Sequence, residues 1–226
     1  MGALLISLLP LIIGSALVPA QIIVAILLLK SPKQGLLKAI AYVGGMTTTR
    51  LLQGLIFGLI LFDAASSDES GGKSLVVSTL LMLLGIFLLI TAYKTWRKED
   101  DPDAPPPKWL TRLDGLTPQK VFGVGFGLIL ISAKFWVFTL AAISTIGEAE
   151  LGQPASTIVY ILFVLLAESL LLLLIVIRIV IPERSKTLLE GMSAWLTRYN
   201  RPIVIGVSLV FGLMFFYQGF SGLLGQ

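Results

Sequence analysis

Long apolar segments are the feature that most restricts how this chain can fold. A helix needs about 20 mainly apolar residues to cross a hydrocarbon core of about 30 Å. The chain offers such segments at residues 4–29, 36–62, 75–93, 121–146, 158–181 and 203–224. Charged residues make up only 13% of the 226 residues, too few to cover a soluble domain. The sequence therefore predicts an all-α integral membrane protein with six transmembrane helices.

Basic residues are unevenly distributed among the predicted loops. Apart from Arg50, Lys73 and Lys134, the Lys and Arg residues lie in or beside the loops at residues 30–38, 94–120 and 182–202. Because basic loops remain in the cytoplasm, these loops are predicted to be cytoplasmic and both termini extracytoplasmic. The net charge of +4 then reflects membrane insertion. We expect contacts with membrane lipids and no nucleic-acid partner.

Residues 94–120 divide the chain into two halves of three predicted spans. The runs Asp100-Asp101-Pro102-Asp103 and Pro105-Pro106-Pro107 predict a charged, Pro-rich cytoplasmic linker. Since three is odd, a repeat relating residues 1–93 to residues 121–226 must be inverted across the membrane. GSALVPAQIIVAILLL, from Gly14, aligns with GLILISAKFWVFTLAA, from Gly127. We predict two inverted three-helix repeats.

A short amphipathic segment, at about residues 186–199, precedes the last predicted span. Leu188, Met192, Trp195 and Tyr199 follow one another at helical spacing, with charged residues opposite. This pattern is typical of a helix that lies in the membrane interface. Such a helix either anchors the loop or grips a lipid substrate.

Pro19 lies near the middle of the first predicted span. Proline removes a backbone donor and clashes with the preceding turn, so we predict a hinge or helix break there. Broken helices at corresponding places in two halves indicate the central site of a transporter. A simple packing kink is the alternative.

Three ionisable residues, Arg50, Lys134 and Glu168, fall near the centres of predicted spans. Each would cost about 2.5 to 3.5 kcal/mol at the bilayer centre, so they are expected to face the helix bundle. In the repeat alignment Gln21 matches Lys134, and Arg50 roughly matches Glu168. A substrate-binding site formed by Gln21, Arg50, Lys134 and Glu168 is therefore predicted near the midplane.

The charges at this predicted site leave open what it does. One basic residue remains beyond the charge of Glu168, and it would either attract a carboxylate, sulfate or phosphate group or be held deprotonated. The alternative is a buried Arg–Glu or Lys–Glu pair that only fixes helix packing. Glu168 is also a candidate proton carrier. Close backbone contacts are expected at Gly54-x-x-x-Gly58 and Gly123-x-x-x-Gly127.

The absence of two residue types excludes several kinds of chemistry. The chain contains no Cys and no His. Thiol redox chemistry, Cys/His metal sites and imidazole catalysis are therefore excluded. We expect no enzymatic activity, no cofactor and no bound metal.

Three segments of the chain resemble the peptidoglycolipid-addressing proteins of the lysine-exporter superfamily. They are VPAQIIVAILLLKSPKQGLLKAIAYVGG, GFGLILISAKFWVFTLAAIS and WLTRYNRPIVIGVSLVFGLMFFYQGFSGL. The resemblance covers nearly the whole chain. It implies six spans in two inverted halves and the export or positioning of lipids or small amphiphiles.

Two departures from that family fall at the predicted site. The fourth-span motif, usually Asn-Pro-Lys-Asn, here reads Ser132-Ala133-Lys134-Phe135. Gln21 stands where the family often has a second proline or an apolar residue. Because both departures fall at the predicted site, we do not assign the substrate of that family to this chain.

The sequence as a whole predicts a transporter. We expect an exporter of a small anionic or amphiphilic substrate, such as a lipid precursor, an amino acid or an organic acid. Alternating access would occur at the interface of the two repeats, in a bacterial inner or thylakoid-type membrane. The alternative is a non-transporting scaffold or assembly subunit. Either form could belong to a homo-oligomer or a larger membrane complex.

Overall fold

The computed structural model describes residues 2–64, 70–98 and 113–224. Within these ranges the chain forms helices and short connections, and no strand is found among them. The predicted all-helical fold is thus confirmed. It suits an apolar chain because a helix satisfies its own backbone hydrogen bonds. The Pro-rich segment of the predicted linker, residues 99–112, lies outside the described residues, as do Asp68 and Glu69.

The helices fall into two groups separated by the linker. The first half contains α1 (Gly2–Ala16), α2 (Pro19–Lys30), α3 (Gly35–Ala64) and α4 (Ser70–Arg97). A 3₁₀ turn at Leu113–Gly115 leads into the second half. That half contains α5 (Pro118–Ile131), α6 (Ala133–Glu148), α7 (Ala155–Ala167), α8 (Ser169–Val180) and α9 (Pro182–Leu224).

Three of the predicted spans are divided into two helices. The bend is 55° between α1 and α2, 71° between α5 and α6, and 62° between α7 and α8. Two other helices, α4 and α9, are each long and apolar enough to cross a membrane. The described residues therefore hold two candidate spans, or up to five if each bent pair is one span. The 30-residue helix α3 is not among the five.

The breaks lie where two hydrophobic clusters meet. The first cluster joins residues of α2, α3, α5 and α8, and includes Leu113, Leu189 and Leu196. The second joins residues of α1, α4, α6 and α7 with Phe215 of α9. Each bent pair thus contributes mainly one helix to each cluster. Val18 at the first break and Glu168 at the third are buried.

The predicted interfacial segment is not a separate helix. Residues 186–199 belong to α9, a continuous helix of 43 residues. Pro202 removes one backbone donor within α9. The side chain of the neighbouring Arg201 donates to the carbonyl oxygens of Thr95 and Trp96, which attaches α9 to α4 at this point. At about 1.5 Å per residue α9 is about 65 Å long, well beyond the hydrocarbon thickness.

Close helix contacts depend on glycine in α3 and α5. A Cβ on Gly45 would meet the carbonyl oxygen of Phe122, and one on Gly125 would meet that of Tyr42. The expectation for Gly123 and Gly127 is wrong, because a Cβ on either meets no atom within 4 Å. Both lie two residues from Gly125, about 200° around the helix, and so face away from α3.

The contrast between Gly125 and Gly127 can be tested with two matched substitutions. Gly125→Ala should destabilise the protein by about 1 to 3 kcal/mol, because the new methyl group meets backbone atoms of α3. Gly127→Ala should be neutral or slightly stabilising, since alanine favours the helix and has open space here. Thermal unfolding in mild detergent measures both variants. Equal losses would contradict the packing of α3 against α5.

Candidate functional site

Arg50 is a fully buried cation in the middle of α3. Its side chain is 0% exposed, and its Nε atom lies 3.4 Å from Oε1 of Glu168. Its Nη2 atom donates to Oγ of Ser15 in α1, at 2.7 Å. Its guanidinium carbon lies 5.6 Å from the ring centroid of Phe135 in α6. Arg50 therefore connects helices of the first half with residues of the second.

Glu168 occupies the break between α7 and α8. Its backbone nitrogen ends α7 by donating to the carbonyl oxygen of Val164, and its own carbonyl oxygen accepts from Leu171 and Leu172 of α8. Its Oε2 atom accepts a hydrogen bond of 2.5 Å from Oγ1 of Thr47 in α3. The carboxylate is thus held at a helix end, facing α3.

The Arg50–Glu168 pair is incompletely satisfied. Among the described residues no hydrogen bond reaches Nε or Nη1 of Arg50, or Oε1 of Glu168, although all three atoms are buried. A buried polar atom without a partner costs about 1 to 3 kcal/mol. The two charges attract each other, but their geometry does not make a full set of hydrogen bonds. Such a pair is easier to separate than a bidentate one.

Lys134 lies apart from that pair, beside the break at Ser132. No carboxylate in the described segments of the chain forms an ion pair with Lys134. Its Nζ atom lies 4.8 Å from the ring centroid of Phe135, the ring that also contacts Arg50. Phe135 therefore connects the unpaired cation to the buried pair.

Lys134 lines a cavity of about 180 Å³. The first break forms one wall, with Leu17, Val18, Pro19 and Ala20. The other walls come from α4, through Phe87, Leu88 and Thr91, and from α9, through Asn200, Val204, Val207 and Ser208. The cavity is thus lined by both halves of the chain, and Lys134 is the one charged residue among its lining residues.

Pro19 and Gln21 are both in the first turn of α2. Pro19 is its first residue, where the missing N–H removes no helical hydrogen bond, and no side chain caps this end. Gln21 is only 3% exposed, and its Nε2 atom has no partner among the described residues. No hydrogen bond or ion pair found in the described ranges joins Gln21 to Arg50, Lys134 or Glu168. The structure thus brings together Arg50 and Glu168, and keeps Lys134 and Gln21 outside that pair.

Tyr160 is a residue of this region that the sequence did not point to. Its hydroxyl donates to the carbonyl oxygen of Arg50 at 2.5 Å, and its ring occupies the space left by the missing side chain of Gly54. Tyr160 also lines a cavity of about 240 Å³, largely apolar, between α3, α6 and α7. The sequence likewise does not indicate Ser15 or Phe135 as site residues, because isolated residues in apolar helices give no periodic signal.

The buried pair can be tested by a double-substitution cycle. Arg50→Met or Glu168→Leu alone should each cost about 3 to 5 kcal/mol, because each leaves one uncompensated buried charge. The double variant should lose far less than the sum, since both charges are gone. Denaturant unfolding in mild detergent measures the coupling. Additive losses would show that the two charges do not interact.

A comparison with known families finds one that matches most of the chain. The model of the family described as Sap, sulfolipid-1-addressing protein, matches residues 8–221. Comparisons with curated proteins and with solved structures gave no significant match.

Proposed function

Because this chain belongs to the family of Sap, the sulfolipid-1-addressing protein, we propose that it exports an anionic amphiphile across a membrane. Family membership and the apolar helices give it a membrane role related to lipid addressing. More specifically, we propose transport by alternating access, with the substrate bound between the two halves of the chain. The proposal includes no enzymatic step and no cofactor.

The unpaired cation Lys134 carries this proposal. An ammonium group in an otherwise uncharged cavity favours a ligand with a negative charge, such as a carboxylate, sulfate or phosphate. Pro19 and Ala20, at the uncapped N-terminus of α2, line the same cavity. Helix N-termini carry partial positive charge, and in broken-helix transporters they face anionic groups of the substrate. We assign the headgroup of the substrate to this cavity.

We assign the apolar portion of the substrate to the second cavity, which shares no lining residue with the Lys134 cavity. That cavity is lined by Leu51, Leu55, Ile143 and Ile146, and its polar members are Gln153, Ser156, Thr157 and Tyr160. Leu51 and Leu55 are also exposed on the outer surface of the bundle, where lipid would surround them. A hydrocarbon chain could therefore enter sideways, between α3 and α7.

The proposal includes an inverted repeat, six spans and membership of the lysine-exporter superfamily. When Gly14 is aligned on Gly127, the N-cap residues of α2 and α6, Val18 and Ser132, fall one residue out of register. We take α3 as the sixth span, since its 30 residues exceed the length that a span requires. The halves would then be residues 1–93 and 121–226, joined by the 94–120 linker.

The proposed orientation follows the basic loops. Lys30 of α2 pairs with Glu190 of α9, and Arg201 holds the end of α4, so the basic segments share one end of the fold. By the positive-inside rule this end faces the cytoplasm, and both termini face the other side. A bacterial inner or thylakoid-type membrane is the proposed location.

The Arg50–Glu168 pair acts in this proposal as the barrier beside the cavity. It joins α3 to the α7–α8 break, so separating the charges would let the two halves move apart. Protonation of Glu168 removes its charge and thus weakens its attraction for Arg50. We therefore assign Glu168 the role of coupling transport to a proton gradient.

The transport proposal is tested with Lys134→Gln in reconstituted vesicles. The probe is a fluorescent short-chain lipid with a sulfate ester, and its neutral, desulfated form is the second probe. Translocation of the sulfated probe should fall about tenfold, as expected when one charge-assisted hydrogen bond is lost. Lys120→Gln, which removes an exposed cation, should transport normally.

Two results would argue against this role of Lys134. One is normal translocation of the sulfated lipid by Lys134→Gln. The other is equal translocation of the neutral and sulfated probes by the unaltered protein. Normal behaviour together with a stable stoichiometric partner would instead favour the scaffold alternative.

The coupling role of Glu168 makes a separate prediction. Glu168→Gln mimics the protonated carboxyl, so translocation should no longer respond to an imposed pH gradient. Downhill movement of the probe should persist, because Lys134 is untouched. Translocation rates measured with and without the gradient give the answer. A gradient response equal to that of the unaltered protein would exclude Glu168 as the proton carrier.

A further inference from the structure

A third cavity, of about 370 Å³, lies at the end of the fold that carries the basic loops. Its wall includes Lys30, Ser31 and Pro32 at the end of α2, Arg178 of α8, and Glu190 of α9. None of these residues lines the Lys134 cavity. Lys30 and Arg178 give the cavity two cations, and Glu190 is its one carboxylate among the lining residues.

Arg178 is held in a fixed position at the cavity wall. Its Nη1 atom donates to the carbonyl oxygen of Pro182 at 2.7 Å and to Oγ of Ser185 at 2.9 Å. Ser185 is itself buried and donates to the same carbonyl oxygen. Within the described residues no acceptor meets Nη2 of Arg178. The guanidinium is therefore oriented in advance and keeps donors for a ligand.

The ion pair between Lys30 and Glu190 is long and exposed to solvent. Their closest charged atoms are 3.9 Å apart, and the side chains are 34% and 59% exposed. An exposed pair at this distance contributes little to stability. Lys30 can therefore turn to a stronger anion at small cost, which would free Glu190 to accept a hydrogen bond.

Apolar residues beside the cavity indicate what kind of anion would bind. Ile179, Val180 and Ile181 follow Arg178 along the chain, and all three are exposed, as is Leu188 beside Leu189. Trp195 and Tyr199, further along α9, are also exposed, as is typical of side chains at the membrane interface. A soluble anion would leave these exposed apolar residues uncovered, whereas the chains of a bound lipid could cover them.

We propose that this cavity binds the headgroup of an anionic glycerophospholipid. The phosphate diester lies between Lys30 and Arg178, and a headgroup hydroxyl donates to Glu190. The acyl chains extend over the exposed apolar residues of α8 and α9. This lipid site is independent of the Lys134 cavity and does not require the chain to be an exporter.

The experiment is native mass spectrometry of the full chain in mild detergent with added phosphatidylglycerol. The unaltered protein should retain one phosphatidylglycerol molecule and bind phosphatidylcholine more weakly. Arg178→Gln and Lys30→Gln should each weaken retention about tenfold, the factor for one lost charge-assisted hydrogen bond. Arg198→Gln removes an exposed cation of the same segment outside the cavity and should have no effect.

Lys30→Gln keeps the test decisive if Arg178→Gln fails to fold, because Lys30 makes no comparable structural contacts. Equal losses in Lys30→Gln and Arg198→Gln would overturn the proposal, as would equal retention of phosphatidylglycerol and phosphatidylcholine. Displacement of the lipid by inorganic phosphate at comparable concentration would assign the cavity to a soluble anion and overturn the assignment to a lipid.

Discussion

The fold is organised around the ion pair of Arg50 and Glu168. Neither charge can face hydrocarbon at acceptable cost, so the helices that carry them must meet inside the protein. The pair connects α3 of the first half to the α7–α8 break of the second, and Ser15 adds α1 to the contact. Thr47 and Tyr160 complete the arrangement, one on the carboxylate and one on the backbone of Arg50.

A second charge of different character, Lys134, lies outside this pair. Lys134 shares the ring of Phe135 with Arg50, yet no described acid neutralises it. The polar residues that the sequence predicts as a single site therefore divide into a closed, paired group and an open, cationic group. In the proposed transport the two groups have different roles. The cavity that Lys134 lines binds the anion, and the Arg50–Glu168 pair separates the two sides of the membrane.

Much of the fold could be predicted from single residues and their spacing. Long apolar segments identify the helices, and the cost of intramembrane charge brings Arg50 and Glu168 inward. The break at Glu168 is a different matter, since nothing in the sequence around it marks a helix end, and the break at Ser132 is indicated only by its alignment with Pro19. The contact face of α5 and the continuity of α9 likewise depend on partners distant in sequence, such as Tyr42 for Gly125 and Thr95 for Arg201.

In the proposed mechanism, Lys134 faces a cavity that opens alternately to the two sides of the membrane. The chain contains no cysteine, so Ser208→Cys in the wall of the Lys134 cavity introduces a single thiol for labelling and leaves Lys134 in place. A membrane-impermeant maleimide, applied to one side of sealed vesicles and then to the other, measures its accessibility. We expect labelling from both sides and protection by the sulfated lipid, with Ala142→Cys in the buried core unreactive. Labelling from one side only, unaffected by the lipid, would contradict it.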